Sequence, residues 1–155
     1  EEMGLEPDRI TALGMSGMIH DIGKIAVPAE ILSKPTKLTP TEMTLIQVHP
    51  QIGYDILSEI DFPWPIAKTV LQHHERMDGS GYPQGLKGDE IILKARILAV
   101  ADTVEAMATH RPYRPALGID AALGEISRGK SIFYDLEVVE ACLSQFNQKG
   151  YLLLD

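Results

Sequence analysis

Helix start and stop signals recur along this 155-residue chain, and no run of residues alternates apolar and polar as a half-buried strand requires. The clearest start is Thr39-Pro40-Thr41-Glu42. Thr39 can cap a helix, Pro40 suits the first helical position because its missing N–H would have no partner there, and Glu42 completes a capping box. Leu38 and Met43 occupy the two staple positions, so a helix is expected from Pro40 to about Val48. A first helix is expected from about Asp8 to His20, with Ile10, Leu13, Gly17 and Ile19 inward. Gly14 and Gly17 lower its helix propensity, which makes sense if another helix or a metal centre approaches closely.

Further helices follow from the same spacing. One starts near Pro50 and carries Ile52, Ile56 and Leu57 on its inner face. The segment Phe62-Pro63-Trp64-Pro65 breaks it, and Ile66, Ala67, Val70 and Leu71 then form one face of a helix ending near His74. Arg76 to Gly88 holds four glycines and one proline and reads as a loop. A long helix from about Leu93 to Thr109 would turn Ile97, Val100, Ala101 and Val104 inward. Asp120 or its neighbour caps a helix to about Arg128. Asp135 caps the last, which runs to about Asn147 and buries Val138, Val139, Cys142, Leu143 and Phe146. The fold class is all-α, a compact helical bundle.

Composition narrows the function. The residues are 45% hydrophobic and 23% charged, as in an ordinary soluble globular protein. A net charge of −8 argues against binding long nucleic acid, but not against a small phosphate substrate, because a few local cations or bound metals can reverse the field in one pocket. The single cysteine, Cys142, excludes an internal disulfide, fits a reducing cytoplasm and reads as a buried thiol on a helix face. No apolar stretch is long enough for a membrane span, so no membrane contact by this domain is expected; a parent protein could still be membrane-anchored. The start at Glu1 suggests an excised fragment.

Four of the five histidines lie in places that suggest chemistry. His20-Asp21 ends an apolar helix and is followed by Gly23 and Lys24. His49 sits at a helix end before Pro50, and His73-His74-Glu75 closes a helix just before the glycine-rich loop. Asp102 lies within Leu-Ala-Val-Ala-Asp-Thr-Val, where a buried carboxylate needs compensation. Each has a bland explanation alone: a surface histidine, a turn residue, a carboxylate paired with Arg96. Together, on four helices, they form a ligand set suited to Fe, Mn or Zn. Adjacent residues on a regular helix point about 100° apart, so His73 and His74 would serve two neighbouring ions rather than chelate one. A multinuclear centre is favoured over a structural zinc, which would normally use cysteines.

The run His20-Asp21-Ile22-Gly23-Lys24, then His73-His74-Glu75, then Asp78-Gly79-Ser80-Gly81-Tyr82-Pro83, resembles the HD-GYP domain, a bacterial branch of the HD superfamily of metal-dependent phosphohydrolases. The likeness continues through Asp102 and Arg111-Pro112-Tyr113-Arg114 and covers roughly Leu13 to Phe146. It implies a helical fold, two or three divalent metal ions of the Fe or Mn type, and hydrolysis of a cyclic dinucleotide, typically cyclic di-GMP, to linear pGpG or GMP. Carried onto this sequence, the implied metal ligands are His20, Asp21, His49, His73, His74 and Asp102, with Asp21 bridging. A metal-bridged water would attack phosphorus. Lys24 would touch the scissile phosphate or help the leaving oxygen, Arg111 would bind phosphate, and Tyr82 with Gly81 and Pro83 would line the substrate pocket or meet a partner protein.

Two positions depart from the family's pattern. Glu105 stands where Asp is common, and Tyr134-Asp135-Leu136 replaces a common Phe-Asp-Pro. The family also carries a further upstream helix with a metal-ligand His, so residues 1–155 are expected to form a single HD-GYP-like domain lacking that first helix or helices. Alternatives remain a noncatalytic interaction or sensor module, a phosphodiesterase for cyclic GMP-AMP, and an HD hydrolase for another nucleotide such as (p)ppGpp. Homodimer formation is left open.

Overall fold

The computed structural model describes residues 2–110 and 116–152. Eight α-helices follow one another among them: α1 (Pro7–Ile19), α2 (Ala29–Leu32), α3 (Pro40–Ile46), α4 (His49–Ser58), α5 (Ile66–Gln72), α6 (Leu93–Ala108), α7 (Ile119–Arg128) and α8 (Leu136–Asn147). Short 3-10 turns occur at Ile22–Ala26 and Gly88–Glu90, and the only β pairings among the described residues are the isolated bridges Asp78–Lys87 and Lys130–Tyr134. The expected all-α class is the observed one.

Two apolar clusters hold the helices. Val100 and Val104 of α6 pack with Ala122 and Ile126 of α7, with Tyr134, and with Val138 and Val139 of α8. Leu57 of α4 packs with Ile66 and Val70 of α5, and Met15 and Ile19 of α1 and Trp64 close over them. A fully buried side chain of this size contributes about 1.5–3 kcal/mol. Cys142 is half-buried against the first cluster, and burial pushes its thiol pKa up, as expected of a core thiol.

Several inward assignments shift by a residue. The buried positions of α1 are Ala12 and Ser16, with Ile10, Leu13, Gly17 and Ile19 half-buried around them. The Ser16 hydroxyl donates to the Ala12 carbonyl at 2.8 Å, so a small polar residue can face the core without an unpaired group. On α4 the inward pair is Gly53 and Leu57, and Ile56 is exposed; on α6, Ala101 is exposed while Ala95, Leu98 and Ala99 are buried. Met43 is also exposed, which leaves the staple open on one side.

The glycines that packing requires are not those of α1. A Cβ on Gly14 would meet nothing within 4 Å, and one on Gly17 would make only ordinary contact with Leu98. At Gly23 a Cβ would collide with the His49 carbonyl and come within 2.7 Å of the Gly53 amide. The 3-10 turn after α1 therefore lies directly on the first turn of α4, and this contact brings His20-Asp21 to His49.

The capping box at Thr39 is present as expected. Glu42 N–H donates to Thr39 Oγ1 at 3.3 Å, and Thr39 N–H donates to Glu42 Oε2 at 2.7 Å. Lys34 Nζ adds bonds of 2.8 and 2.7 Å to the same carboxylate. The Lys34 bonds first, then the Thr39 amide, lower the Glu42 pKa from 4.5 to about 2. The unfolded chain therefore takes up this proton at higher pH than the folded one. The stabilisation is complete above pH 4.5 and disappears as pH falls toward 2. Glu42→Gln should lower the melting temperature at pH 7, and the gap from wild type should narrow steadily between pH 5 and about 2.5 when both are melted across that range. A gap independent of pH would show that the carboxylate charge is not what holds this cap.

Candidate metal centre

Three helices end shortly before a histidine: α1 at Ile19 and α5 at Gln72, one residue before His20 and His73, and α3 at Ile46, three residues before His49. The last carbonyls of a helix lack an intrahelical partner. Each of these rings supplies one. His20 Nδ1–H donates to Gly17 O at 2.7 Å, His49 Nδ1–H to Ile46 O at 2.7 Å, and His73 Nδ1–H to Val70 O at 2.6 Å. A carbonyl can only accept, so Nδ1 carries the hydrogen in all three rings. Each Nε2 is left with a bare lone pair.

Those lone pairs converge. His49 Nε2 and His73 Nε2 lie 3.4 Å apart, and Asp21 Oδ1 lies 3.4 Å from His49 Nε2. Asp21 Oδ1 is buried and has no hydrogen-bond partner. His20 Nε2 faces Asp21 Oδ2 at 3.5 Å and Asp102 Oδ1 at 3.6 Å, distances of charge attraction rather than of a hydrogen bond. Facing lone pairs and an orphaned carboxylate oxygen repel unless a proton or metal cation lies among them. Two overlapping triads have ligand atoms within 4.8 Å of one another: His49, His73 and His74, and His20, Asp21 and His73. The donor set fits divalent metal ions, and the orphaned Asp21 oxygen is the observation behind that fit.

Protonation does not fill most of the gap at neutral pH. Burial, and then its charged neighbours, lower the His73 pKa from 6.5 to about 4. Burial also lowers His49, and burial followed by the neighbouring His73 lowers His74 strongly. Burial pulls His20 down too, but its Asp102 contact, the Gly17 carbonyl and the Asp21 charge more than offset it, and the net shift is upward. Asp102 shows the opposite balance: burial works to raise its pKa, yet His20 and the other imidazoles hold it below the ordinary carboxylate range. At pH 7 His49, His73 and His74 are neutral, the form that binds metal.

The structure brings His20, Asp21, His49, His73, His74 and Asp102 into one cluster drawn from α1, α4, α5 and α6. Two details differ from the sequence reading. Helix α5 stops at Gln72, so His73 and His74 escape the 100° offset; their rings lie 4.0 Å apart and share one triad with His49. Asp102 is not paired with Arg96, which binds Asp135 at 3.0 Å and Asp89 at 2.9 Å. Lys24 Nζ donates to Asp21 Oδ2 at 2.6 Å. Arg111 lies outside the described residues.

The glycine-rich loop folds back onto the histidines. The Tyr82 ring stacks on His74 at 4.8 Å, and Tyr82 N–H donates to the His74 carbonyl at 3.2 Å. Burial raises the Tyr82 pKa, so its hydroxyl keeps its proton. Gly81 must be glycine here, because a Cβ would collide with the backbone of residues 74–76. Pro83 is exposed.

Sequence reasoning quoted Glu75 within a motif but gave it no work. In the structure Glu75 is 2% exposed, and its two carboxylate oxygens accept from Gln84 N–H at 2.7 Å and Leu86 N–H at 2.9 Å. It holds the loop against the end of α5. Gln72 does the same for the start of α6, accepting from Ile92 N–H at 2.9 Å. The missed signal was an acid directly before a loop rich in unpaired N–H groups.

Known proteins resemble this chain in sequence and in fold. A family model described as HD domain matches residues 1–138. Among curated relatives, the "cyclic di-GMP phosphodiesterase response regulator RpfG" of Xanthomonas campestris pv. campestris (strain 8004) is 44% identical over 145 residues, which is 92% of this chain and 38% of the relative. The "cyclic di-GMP phosphodiesterase" of Thermotoga maritima is also 44% identical over 145 residues, covering 92% of this chain and 39% of the relative. The chain thus spans well under half the length of these relatives. A solved cyclic GMP-AMP specific phosphodiesterase of V. cholerae superposes with a TM-score of 0.68 at 18% identity over 95% of this chain and 41% of its own, a likeness of fold.

Glu75→Gln puts an amide NH2 against a backbone N–H donor that it cannot satisfy. It should cost about 1–3 kcal/mol in urea unfolding. It should also speed hydrogen exchange at Gln84 and Leu86. Unchanged exchange at both amides would mean that other contacts hold the loop.

Proposed function

The chain belongs to the HD domain family, and from its HD-GYP motifs we propose that it is a metal-dependent phosphodiesterase that hydrolyses a cyclic dinucleotide, cyclic di-GMP, to linear pGpG or GMP. The observation that carries this reading is the convergence of the Asp21, His49 and His73 acceptor atoms with no hydrogen among them. The names of the two relatives supply the substrate class.

We assign two or three Fe or Mn ions to the cluster. His20, Asp21 and His73 form one triad, with Asp102 beside His20, and His49, His73 and His74 form the other; Asp21 directs one oxygen toward His20 and the other toward His49. When bound, such ions supply charge neutralisation on the phosphate and lower the pKa of the attacking water. The chain's own residues do the rest. The three Nδ1–H bonds to Gly17, Ile46 and Val70 hold the imidazoles in the ligating tautomer. Lys24, a full positive charge beside Asp21, is placed to meet a phosphate oxygen or the departing ribose oxygen. Tyr82 covers His74 and keeps water from that side, and its protonated hydroxyl can donate to substrate. Arg111 is assigned to phosphate by its motif alone.

A noncatalytic module is the weaker reading, because all six candidate ligands are present in one cluster. The test is direct. The protein is loaded anaerobically with Fe(II) or Mn(II), its metal content is measured, and it is incubated with cyclic di-GMP and, separately, with cyclic GMP-AMP. Linear product should form from cyclic di-GMP, and Asp21→Asn should lower both bound metal and rate, the latter by about 10²-fold or more. Turnover of cyclic GMP-AMP alone would shift the substrate assignment. If loaded protein leaves both intact while a control hydrolase works, the enzymatic reading fails.

A further inference from the structure

A second pocket of about 380 Å³ opens where α1, the segment before α5 and the start of α6 meet. That volume lies within the range of small-ligand sites. Arg9 of α1 and Lys94 of α6 both line it, together with Trp64 and the apolar side chains of Leu5, Ile92 and Leu93. No acidic side chain lines it, although the chain as a whole carries a net charge of −8. Among the described residues neither Arg9 nor Lys94 makes an ion pair or a side-chain hydrogen bond; Lys37, Lys68 and Lys87 share that state, but only Arg9 and Lys94 line this pocket. Trp64 is half-buried against the Leu57–Ile66–Val70 cluster and borders the pocket as well.

We propose that this pocket binds a nucleoside monophosphate, with the phosphate held between Arg9 and Lys94 and the base against Trp64. Two unpaired cations from different helices match a group of nearly two negative charges, and a guanidinium is suited to phosphate in particular. Without an anion the two cations repel: partial burial, and then the Arg9 charge, lower the Lys94 pKa. The apolar walls beside an indole suit a flat heterocycle better than a sugar or a free ion. The pocket is separate from the metal cluster. Asp102 lies eight positions beyond Lys94 along α6, a rise of about 12 Å. The proposal therefore stands whether or not the cyclic-dinucleotide reading does.

Trp64 is the only tryptophan in the chain, so its fluorescence reports on this pocket alone. Metal-loaded protein is titrated with GMP as the probe, with guanosine and inorganic phosphate as controls. GMP should give a saturable change in Trp64 emission, and each control should bind at least about tenfold more weakly. Lys94→Glu and the double variant Arg9→Ala/Lys94→Ala should weaken GMP by at least about tenfold, while Lys94→Arg retains binding. These are partly or fully exposed side chains, and a matching melting temperature will show that the variants fold. Asp21→Asn should leave the titration unchanged, which separates this pocket from the metal cluster. No saturable change with millimolar GMP, or equal GMP binding by Lys94→Glu, would overturn the proposal. Inorganic phosphate binding as tightly as GMP would overturn the role given to Trp64.

Discussion

The candidate site depends on where helices stop. A helix end leaves carbonyls without intrahelical partners, and here three such carbonyls, at residues 17, 46 and 70, are each bonded by the Nδ1–H of a histidine three positions on. One bond does two things. It satisfies the helix end, and it strips the hydrogen from the opposite ring nitrogen. Since α1, α3 and α5 all end at the same place in the bundle, three bare Nε2 atoms meet there. The arrangement needs no special backbone, only helices that terminate in register.

What brings those ends together is close backbone packing at two glycines. Gly23 lets the turn after His20-Asp21 lie on the first turn of α4, and without that approach Asp21 Oδ1 could not come within 3.4 Å of His49 Nε2. Gly81 lets the loop press on residues 74–76, which places Tyr82 over His74. Glu75 then fixes the far side of the loop through two amides. The loop thereby closes one wall of the cluster, and its rigidity rests on a buried carboxylate whose two oxygens are both satisfied.

Much of this was legible from sequence, and the exceptions have physical reasons. Thr39-Pro40-Thr41-Glu42 and Asp135 announced their helices because capping is local chemistry: each side chain bonds an amide two or three residues away. The six clustered residues were legible because histidines and a mid-helix Asp at apolar positions are costly without a ligand. The inward faces of α1 and α6 were read less well. Ala12, Ser16, Ala95 and Ala99 are the buried positions because neighbouring helices pack closely there, and a hydrophobicity pattern favours large residues over the small ones that close packing selects. Spacing also assumed that α5 stayed regular through His74. Its end at Gln72 is set by tertiary contacts, with Gln72 bonded to Ile92 across twenty positions. Glu75 was overlooked because its partners, Gln84 and Leu86, contribute only backbone amides, which carry no residue-type signature.

Electrostatics impose an order on whatever the cluster does. The cluster concentrates two carboxylates and several imidazole lone pairs within a chain of net charge −8. Such a site attracts cations and repels phosphates. Among the described residues, Lys24 is engaged with Asp21 at 2.6 Å, and Arg76 is occupied over the Tyr134 ring at 5.1 Å and by the Glu75 carbonyl at 3.2 Å. A phosphodiester approaching the bare cluster meets carboxylates first. Cations held at Asp21 and Asp102 would change the sign of that field and would compete with Lys24 for the Asp21 carboxylate. On the proposed function, metal binding would therefore precede substrate binding, because the same carboxylates that would recruit the ions would exclude a phosphate until the ions were in place.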